Sequence, residues 1–260
     1  MRALKKAFLS VLLVFLVTGQ VNAESYQRIV SLAPALTEIL YAMDLEDRII
    51  GVTTFCDYPP RAKEKPKVGG MSNPSLEAIV SLKPDIVVMT TDGNPKEFEE
   101  QVRRLGIRTY VFTARRIPEL PQAIRDLGTA LGVTERAEAL ANTIETSIDT
   151  IKHRKSNRRS PAAMPRIIFI VWPEPLIAAG PGTAVDDSLQ LLGAVNIAGD
   201  AVTQYPKYSI EEIINRSPDI IFIGKGMGGS ADMKELSRGI LKKLEMLEAV
   251  KKERVYYISD

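Results

Sequence analysis

The chain has 260 residues, of which 45% are hydrophobic and 25% charged, enough apolar material for one large domain or two smaller ones and too much for a disordered chain. Its formal charge is +2, but Arg2, Lys5 and Lys6 stand in the first residues; 34 basic groups less those three leave 31 against 32 acidic ones. Such a balance excludes a basic nucleic-acid binder.

The opening stretch MRALKKAFLSVLLVFLVTGQVNA sets those three cations before an apolar run over 7–17 and ends in the small triplet Val21-Asn22-Ala23. This reads as a secretory signal peptide over 1–23, with cleavage expected between Ala23 and Glu24. The run is shorter than the ~20 residues a membrane span needs, and no Cys follows the cleavage site, so neither a membrane anchor nor a lipoprotein is expected. Cys56 is the sole cysteine and His153 the sole histidine. An exported chain with one Cys has no internal disulfide, and Cys56 reads as a small, half-buried filler with a ligand contact as the alternative. A lone His argues against His-rich metal capture and against most acid-base triads.

In chain order, RIVSLAPALTEILYAMDLEDRIIGVT predicts a strand over 29–32, a helix from about Thr37 and a second strand over 49–52. Residues 53–70 form a polar, Pro-rich loop, too long for a plain connector and of the kind that often carries binding. Ser75 then caps a helix over 76–82 that Pro84 stops, and the continuous apolar run 86–89 predicts a strand buried on both faces of a parallel sheet. A helix over 95–105, a strand over 109–112 and a helix over 118–131 complete an α/β half. From Thr134, the apolar positions Ala137, Leu140, Ile144, Ile148 and Ile151 predict about five turns of amphipathic helix, a rigid spacer leading into polar SNRRSPAAMP. KHRKSNRR at its end reads as a solvated helix terminus, with cations near the negative end of the dipole.

A second α/β half follows: a strand over 166–172, a loop PEPLIAAGPG, a helix over 183–192, a helix and strand in SIEEIINRSPDIIF, a helix over 234–250 and a strand over 254–258. The expected organisation is an N-terminal lobe over 24–132, a joining helix and linker over 133–160, and a C-terminal lobe over 161–260. SIEEIINRSPDIIF echoes SLEAIVSLKPDIVV: six of the twelve positions from Ser75 to Ile86 match Ser209 to Ile220. In each copy a Ser caps a helix, a Glu sits in its first turn, and Pro-Asp leads into a strand. Glu77 and Glu211 need no function for their placement, since the helix dipole favours a first-turn carboxylate by about 0.3–1 kcal/mol. Neither copy is a phosphate loop, and GKGMGGS over 224–230 reads as a flexible loop after a strand.

With the leader, the two halves, the long helix and the string DYPPRA at 57–62, the chain resembles the substrate-binding proteins of bacterial ABC importers whose lobes are joined by one helix and whose ligands are cobalamin, haem or iron-siderophores. The likeness runs from RIVSLAPALTEIL through GVTTFCDYPP, GPGTAVDDSLQLLGAVNIAGD and SIEEIINRSPDI to RVYYI, and is closest to the vitamin B12-binding members. It implies two Rossmann-like α/β lobes with the ligand in the cleft between them. By position it implies ligand contacts from Phe55, Asp57, Tyr58, Met71, Trp172 and Tyr205, whose aromatic and thioether surfaces suit a large flat chelate. Where members carry Trp, this chain has Met71 and Thr90, and it stops at Asp260 where members continue into a final helix, so a truncated second lobe is an expectation.

The resemblance implies a monomer that delivers cobalamin or a related corrinoid to a permease dimer with its ATPase subunits. Glu77 and Glu211 would dock on that permease. No enzyme activity, resident cofactor, metal site or nucleic-acid partner is implied. An iron-siderophore or haem ligand is the alternative within the family: a ferric chelate would call for cleft Arg or Lys, and haem for an axial His or Tyr, with Tyr58, Tyr205 and Tyr208 as candidates. An exported hydrolase would need a G-x-S-x-G elbow or a carboxylate-His set, and neither is present.

Overall fold

A computed structural model describes residues 26–156, 164–224 and 233–258. The expected leader, the polar stretch after the long helix and the glycine stretch beyond Gly224 lie outside these residues.

In the N-terminal lobe, β1 (Ile29–Ser31), β2 (Ile49–Val52), β3 (Ile86–Thr90) and β4 (Arg108–Phe112) pair in parallel in the order β2-β1-β3-β4. Between and after them run α1 (Pro34–Ala42), α2 (Leu76–Ser81), α3 (Lys96–Arg104), α4 (Leu120–Ala130) and α5 (Thr134–Ser156). Successive strand residues point to opposite faces. Ile29, Ile86, Val88 and Phe112 therefore meet Leu36, Leu40, Ile124 and Leu127 in one core, while Val30, Val87 and Met89 meet Ile79, Phe98 and Val102 in the other. Both faces being covered explains why β3 reads as an unbroken apolar run.

The C-terminal lobe holds β5 (Arg166–Pro173), β6 (Leu176–Ala178), β7 (Val195–Asn196), β8 (Ile220–Gly224) and β9 (Val255–Ile258), with α6 (Ala184–Leu192), α7 (Ile210–Arg216), α8 (Met233–Lys243) and α9 (Glu248–Lys251). Its sheet runs β6-β5-β8-β9, with β7 beside the start of β5. All pairs are parallel except β5 with β6. Ile168, Ile170, Ile221 and Ile223 face α7 to α9, and Ile167 and Phe222 face α6 through Leu189. The expected fold class, two α/β lobes with helices on both sheet faces, is the one observed.

The echoed phrase builds the same joint twice. Ser75 Oγ accepts from Ala78 N and Ser209 Oγ from Glu212 N, as N-caps. Lys83 and Ser217, equivalent positions at the helix ends, both take positive φ, 49° and 43°. An arginine then closes on each helix end: Arg28 Nε donates to Lys83 O at 2.9 Å, and Arg166 Nε donates to Arg216 O at 3.0 Å. Lys83 lies just past the end of α2 and Arg216 ends α7, so neither carbonyl has a partner inside its helix. The Asp of each Pro-Asp pair holds the neighbouring strand, Asp85 Oδ2 accepting from Arg28 N and Asp219 Oδ2 from Arg166 N at 2.9 and 2.8 Å.

Three local expectations are corrected. α1 begins at Pro34 rather than near Thr37, with Pro at N1 where its missing N–H costs nothing. PEPLIAAGPG is not all loop: Pro173 pairs with Leu176 across a two-residue turn, and β6 follows. The helix expected over 234–250 is broken between Lys243 and Glu248. Leu244, Leu247 and Ala249 are all buried in one core. At 100° per residue a straight helix would put Ala249 on the opposite side from the two leucines, so burying all three requires the break.

The joining helix α5 lies along α4. Gly128 permits this approach, because a Cβ there would sit 2.0 Å from that of Ala137. Arg125 fastens the pair, donating from Nε to Glu138 at 2.8 Å and from Nη1 to Glu145 at 2.7 Å. Gly128→Val should cost about 1–3 kcal/mol through overpacking, read as a lower urea midpoint with unchanged slope, and Ala137→Gly in the same chain should recover part of it. A midpoint equal to that of the parent would mean that α4 and α5 part freely.

Candidate functional site

Phe55, Asp57 and Tyr58 follow the carboxyl end of β2, on a loop that is tied at both ends. Thr54 donates from N and Oγ1 to Gly69 O at 2.9 and 3.0 Å. From beneath, Lys67 Nζ donates to Cys56 O at 3.1 Å and Ala62 O at 3.0 Å. Burial lowers the Lys67 pKa, with the negative charge of Asp57 opposing. Cys56 itself is 1% exposed and lies 3.1 Å from the hydroxyls of Thr37 and Thr53, inside the core rather than half-buried or at the cleft. With Cys56 turned in, Phe55 and Tyr58 are turned out, 37% and 61% exposed, and Asp57 is exposed beside them.

Met71 is half-buried against the same core. Its backbone is fixed by Asn94, whose Nδ2 donates to Met71 O at 2.8 Å and Leu32 O at 3.0 Å while its Oδ1 accepts from Thr90 N at 2.8 Å. One amide thus ties together the chain after β1, the chain after β3 and the Met71 segment. Asn94 was not among the expected site residues, because Asp-Gly-Asn after a strand reads as an ordinary turn.

On the other lobe Trp172 pairs with Ile177 across the β5–β6 hairpin. Its Nε1 donates to Glu174 O at 2.8 Å, which satisfies its one polar group and leaves the ring 38% exposed. Tyr205 stands on a segment laid against β6 and the chain beyond it: Ala178 N donates to Pro206 O at 3.1 Å and Gly180 N to Gln204 O at 2.7 Å. Gly180 is required for this approach, since a Cβ would come 2.7 Å from Thr203 O. Trp172 and Tyr205 therefore flank one short strand, and Tyr205 is 52% exposed.

Tyr205 also feels the opposite lobe. Its pKa is raised by burial first and then by the negative charge of Asp92, with Arg115 opposing. Asp92 follows β3 and Arg115 follows β4, and they pair at 3.4 Å, with Arg115 Nε also donating to Thr91 Oγ1 at 3.2 Å. The next residue, Arg116, turns away to α6. Its Nε lies 3.2 Å from both Asp187 oxygens and its Nη2 2.6 Å from Oδ1. Asp92, Arg115, Arg116 and Asp187 were all missed from sequence, because charged residues after a strand or in a first helical turn are common.

Glu77 and Glu211 are exposed in the first turns of α2 and α7, each six residues beyond Met71 or Tyr205. Tyr208 is corrected as a candidate ligand to haem iron: it is buried, its hydroxyl donates to Ile197 O at 2.8 Å, and burial pushes its pKa up to about 12. His153 lies near the end of α5. Among the described residues no group of three or more His, Cys, Asp and Glu is placed to hold a metal ion, and no helix is long and apolar enough to cross a membrane.

Two α/β lobes, one long helix between them and exposed aromatic faces on each define a two-lobed binding protein. The model of the periplasmic binding protein family matches residues 29–260, and the chain belongs to that family. A vitamin B12-binding protein of Pectobacterium atrosepticum is 32% identical over 199 residues, 76% of this chain and 71% of the relative. The crystal structure of the periplasmic vitamin B12 binding protein BtuF of Vibrio cholerae superposes with a TM-score of 0.74 at 26% identity, covering 90% of this chain and 88% of that one. The periplasmic heme-binding protein RhuT from Roseiflexus sp. RS-1 superposes with a TM-score of 0.80 at 27% identity, covering 90% and 89%. These relatives are substrate-binding proteins rather than enzymes.

The electrostatic contact across the cleft is testable by titration. Asp92→Asn should move the Tyr205 phenol down towards its ordinary pKa, and Arg115→Gln should move it further up, read as phenolate absorbance of each protein minus that of its Tyr205→Phe counterpart. If neither substitution moves the titration, Tyr205 does not face these residues.

Proposed function

We propose that this chain is the solute-binding component of an ABC importer that captures cobalamin or a related corrinoid between its lobes and delivers it to a permease. The observation that carries this reading is the exposure of Phe55 and Tyr58, on the loop beyond β2 of one lobe, and of Trp172, near the carboxyl end of β5, and Tyr205, on the segment beside β6, on the other. Two pairs of rigid apolar faces suit the two sides of a broad macrocycle, with Met71 as an adaptable contact beside Phe55. The vitamin B12-binding relatives support the ligand class. A leader removed after Ala23 would release the chain to the periplasm.

Haem is the second reading, favoured by the haem-binding relative and by the exposed phenols of Tyr58 and Tyr205. The raised pKa of Tyr205 counts against it there, because an axial phenolate must first lose its proton. Calorimetric titration of residues 24–260 with cyanocobalamin, haemin and a ferric siderophore decides between them. Cobalamin should bind, and Trp172→Ala should weaken it by about 2 kcal/mol, roughly thirtyfold. Tight haemin or siderophore binding without cobalamin binding would reverse the assignment.

Glu77 and Glu211 would serve the other half of the task, one first-turn carboxylate per lobe presented to a two-fold symmetric permease. Their exposure and equivalent positions in the echoed phrase support this. Changing both to Ala should leave cobalamin affinity unchanged and abolish uptake in cells that depend on this importer, and undiminished uptake would refute the docking role.

A further inference from the structure

Polar bonds between the lobes converge on α6. Asp187, in its first turn, has a side chain only 5% exposed. Its carboxylate takes the Arg116 guanidinium in a side-on pair and also accepts from Ile117 N at 3.0 Å. One turn further on, Gln190 O accepts from Lys155 Nζ of the joining helix at 2.9 Å. The pair borders an open cavity of about 800 Å³ that Ile117, Pro118, Pro121 and Leu191 also line. A buried carboxylate held in this way leaves an uncompensated charge if its partner withdraws.

The loop that supplies Arg116 also faces the cleft. Arg115 lies on Thr91 and Asp92, while Glu119 Oε2 accepts from both Arg115 N and Arg116 N at 3.0 and 3.3 Å. Two consecutive arginines on one fastened loop therefore point in two directions, one into the cleft and one to the opposite lobe.

We propose that the Arg116–Asp187 pair is a pin that sets the opening between the lobes, making both side chains positioning residues for ligand retention. They act through the angle between the sheets and touch no ligand. Their effect on retention rests on the cleft being the corrinoid site, whereas their effect on lobe geometry does not.

The test uses the chain spin-labelled at Lys96→Cys and Lys242→Cys, which are exposed on opposite lobes, with Cys56 protected by burial. In ligand-free protein Arg116→Gln should broaden the distance distribution between the labels. Cyanocobalamin should then dissociate about tenfold faster, while Arg116→Lys retains part of the constraint. Arg116 is half-exposed, so this variant should fold even if Asp187→Asn does not, and an unchanged thermal transition verifies it. An unchanged distance distribution in Arg116→Gln overturns the pin. A broadened distribution with an unchanged dissociation rate overturns its role in retention. Absence of cobalamin binding in the parent overturns the ligand reading alone, and the distances still decide the pin.

Discussion

In each lobe an arginine at the start of the central strand closes on the carbonyls that end a neighbouring helix. Arg28 does so on α2 and Arg166 on α7, with Asp85 and Asp219 holding the strand backbone in return. Loose helix carbonyls and an isolated guanidinium would each need water; together they satisfy one another at the amino end of the sheet. Fixing that end frees the opposite one. The carboxyl ends of β2, β3, β4 and β5 can then carry loops that answer to a ligand and not to the fold, with Phe55, Asp92, Arg115 and Trp172 near them.

Much of this architecture was legible because it rests on local signals. Ser75 and Ser209 cap because their side chains reach back to the first turn, and the apolar runs of β3 and β8 announce strands covered on both faces. What escaped depends on partners distant in sequence. β6 is a strand because Trp172 pairs with Ile177 and because the 206–208 segment lies along its other edge, and no periodicity in three residues reveals that. The break after Lys243 answers to a core shared by Leu244, Leu247 and Ala249. Within the site the aromatic faces are named through the family resemblance and not by any local signal, since an isolated Trp or Tyr reads as core. Asn94, Arg115 and Asp187 could not be named at all, since each acts on groups brought near only by folding.

The joining helix is fastened to one side more than to the other. Arg125 reaches Glu138, Asn142 and Glu145 on α5, and its hydrogen bonds hold both glutamates below the usual carboxylate range. Gly128 lets the backbones of α4 and α5 approach over the same stretch. These contacts make the joining helix an extension of the N-terminal lobe, with α6 as the part of the C-terminal lobe that meets it. A helix belonging to one body permits rotation of the other without a hinge in its middle.

The charges near the cleft bear on what it can hold. Arg115 and Asp92 stand as a pair at the rim, so the guanidinium is already partly answered by a carboxylate and by Thr91. An anionic ferric chelate would have to compete with Asp92 for that cation, whereas a ligand of little net charge would leave the pair in place. Tyr205 points the same way: burial and Asp92 both favour its neutral phenol, which offers an apolar ring and a hydrogen bond but resists becoming a phenolate ligand to iron. Dispersion against four aromatic faces does not depend on ligand charge. Under the reading proposed above, a broad ligand of little net charge would leave both the rim pair and the phenol as they stand.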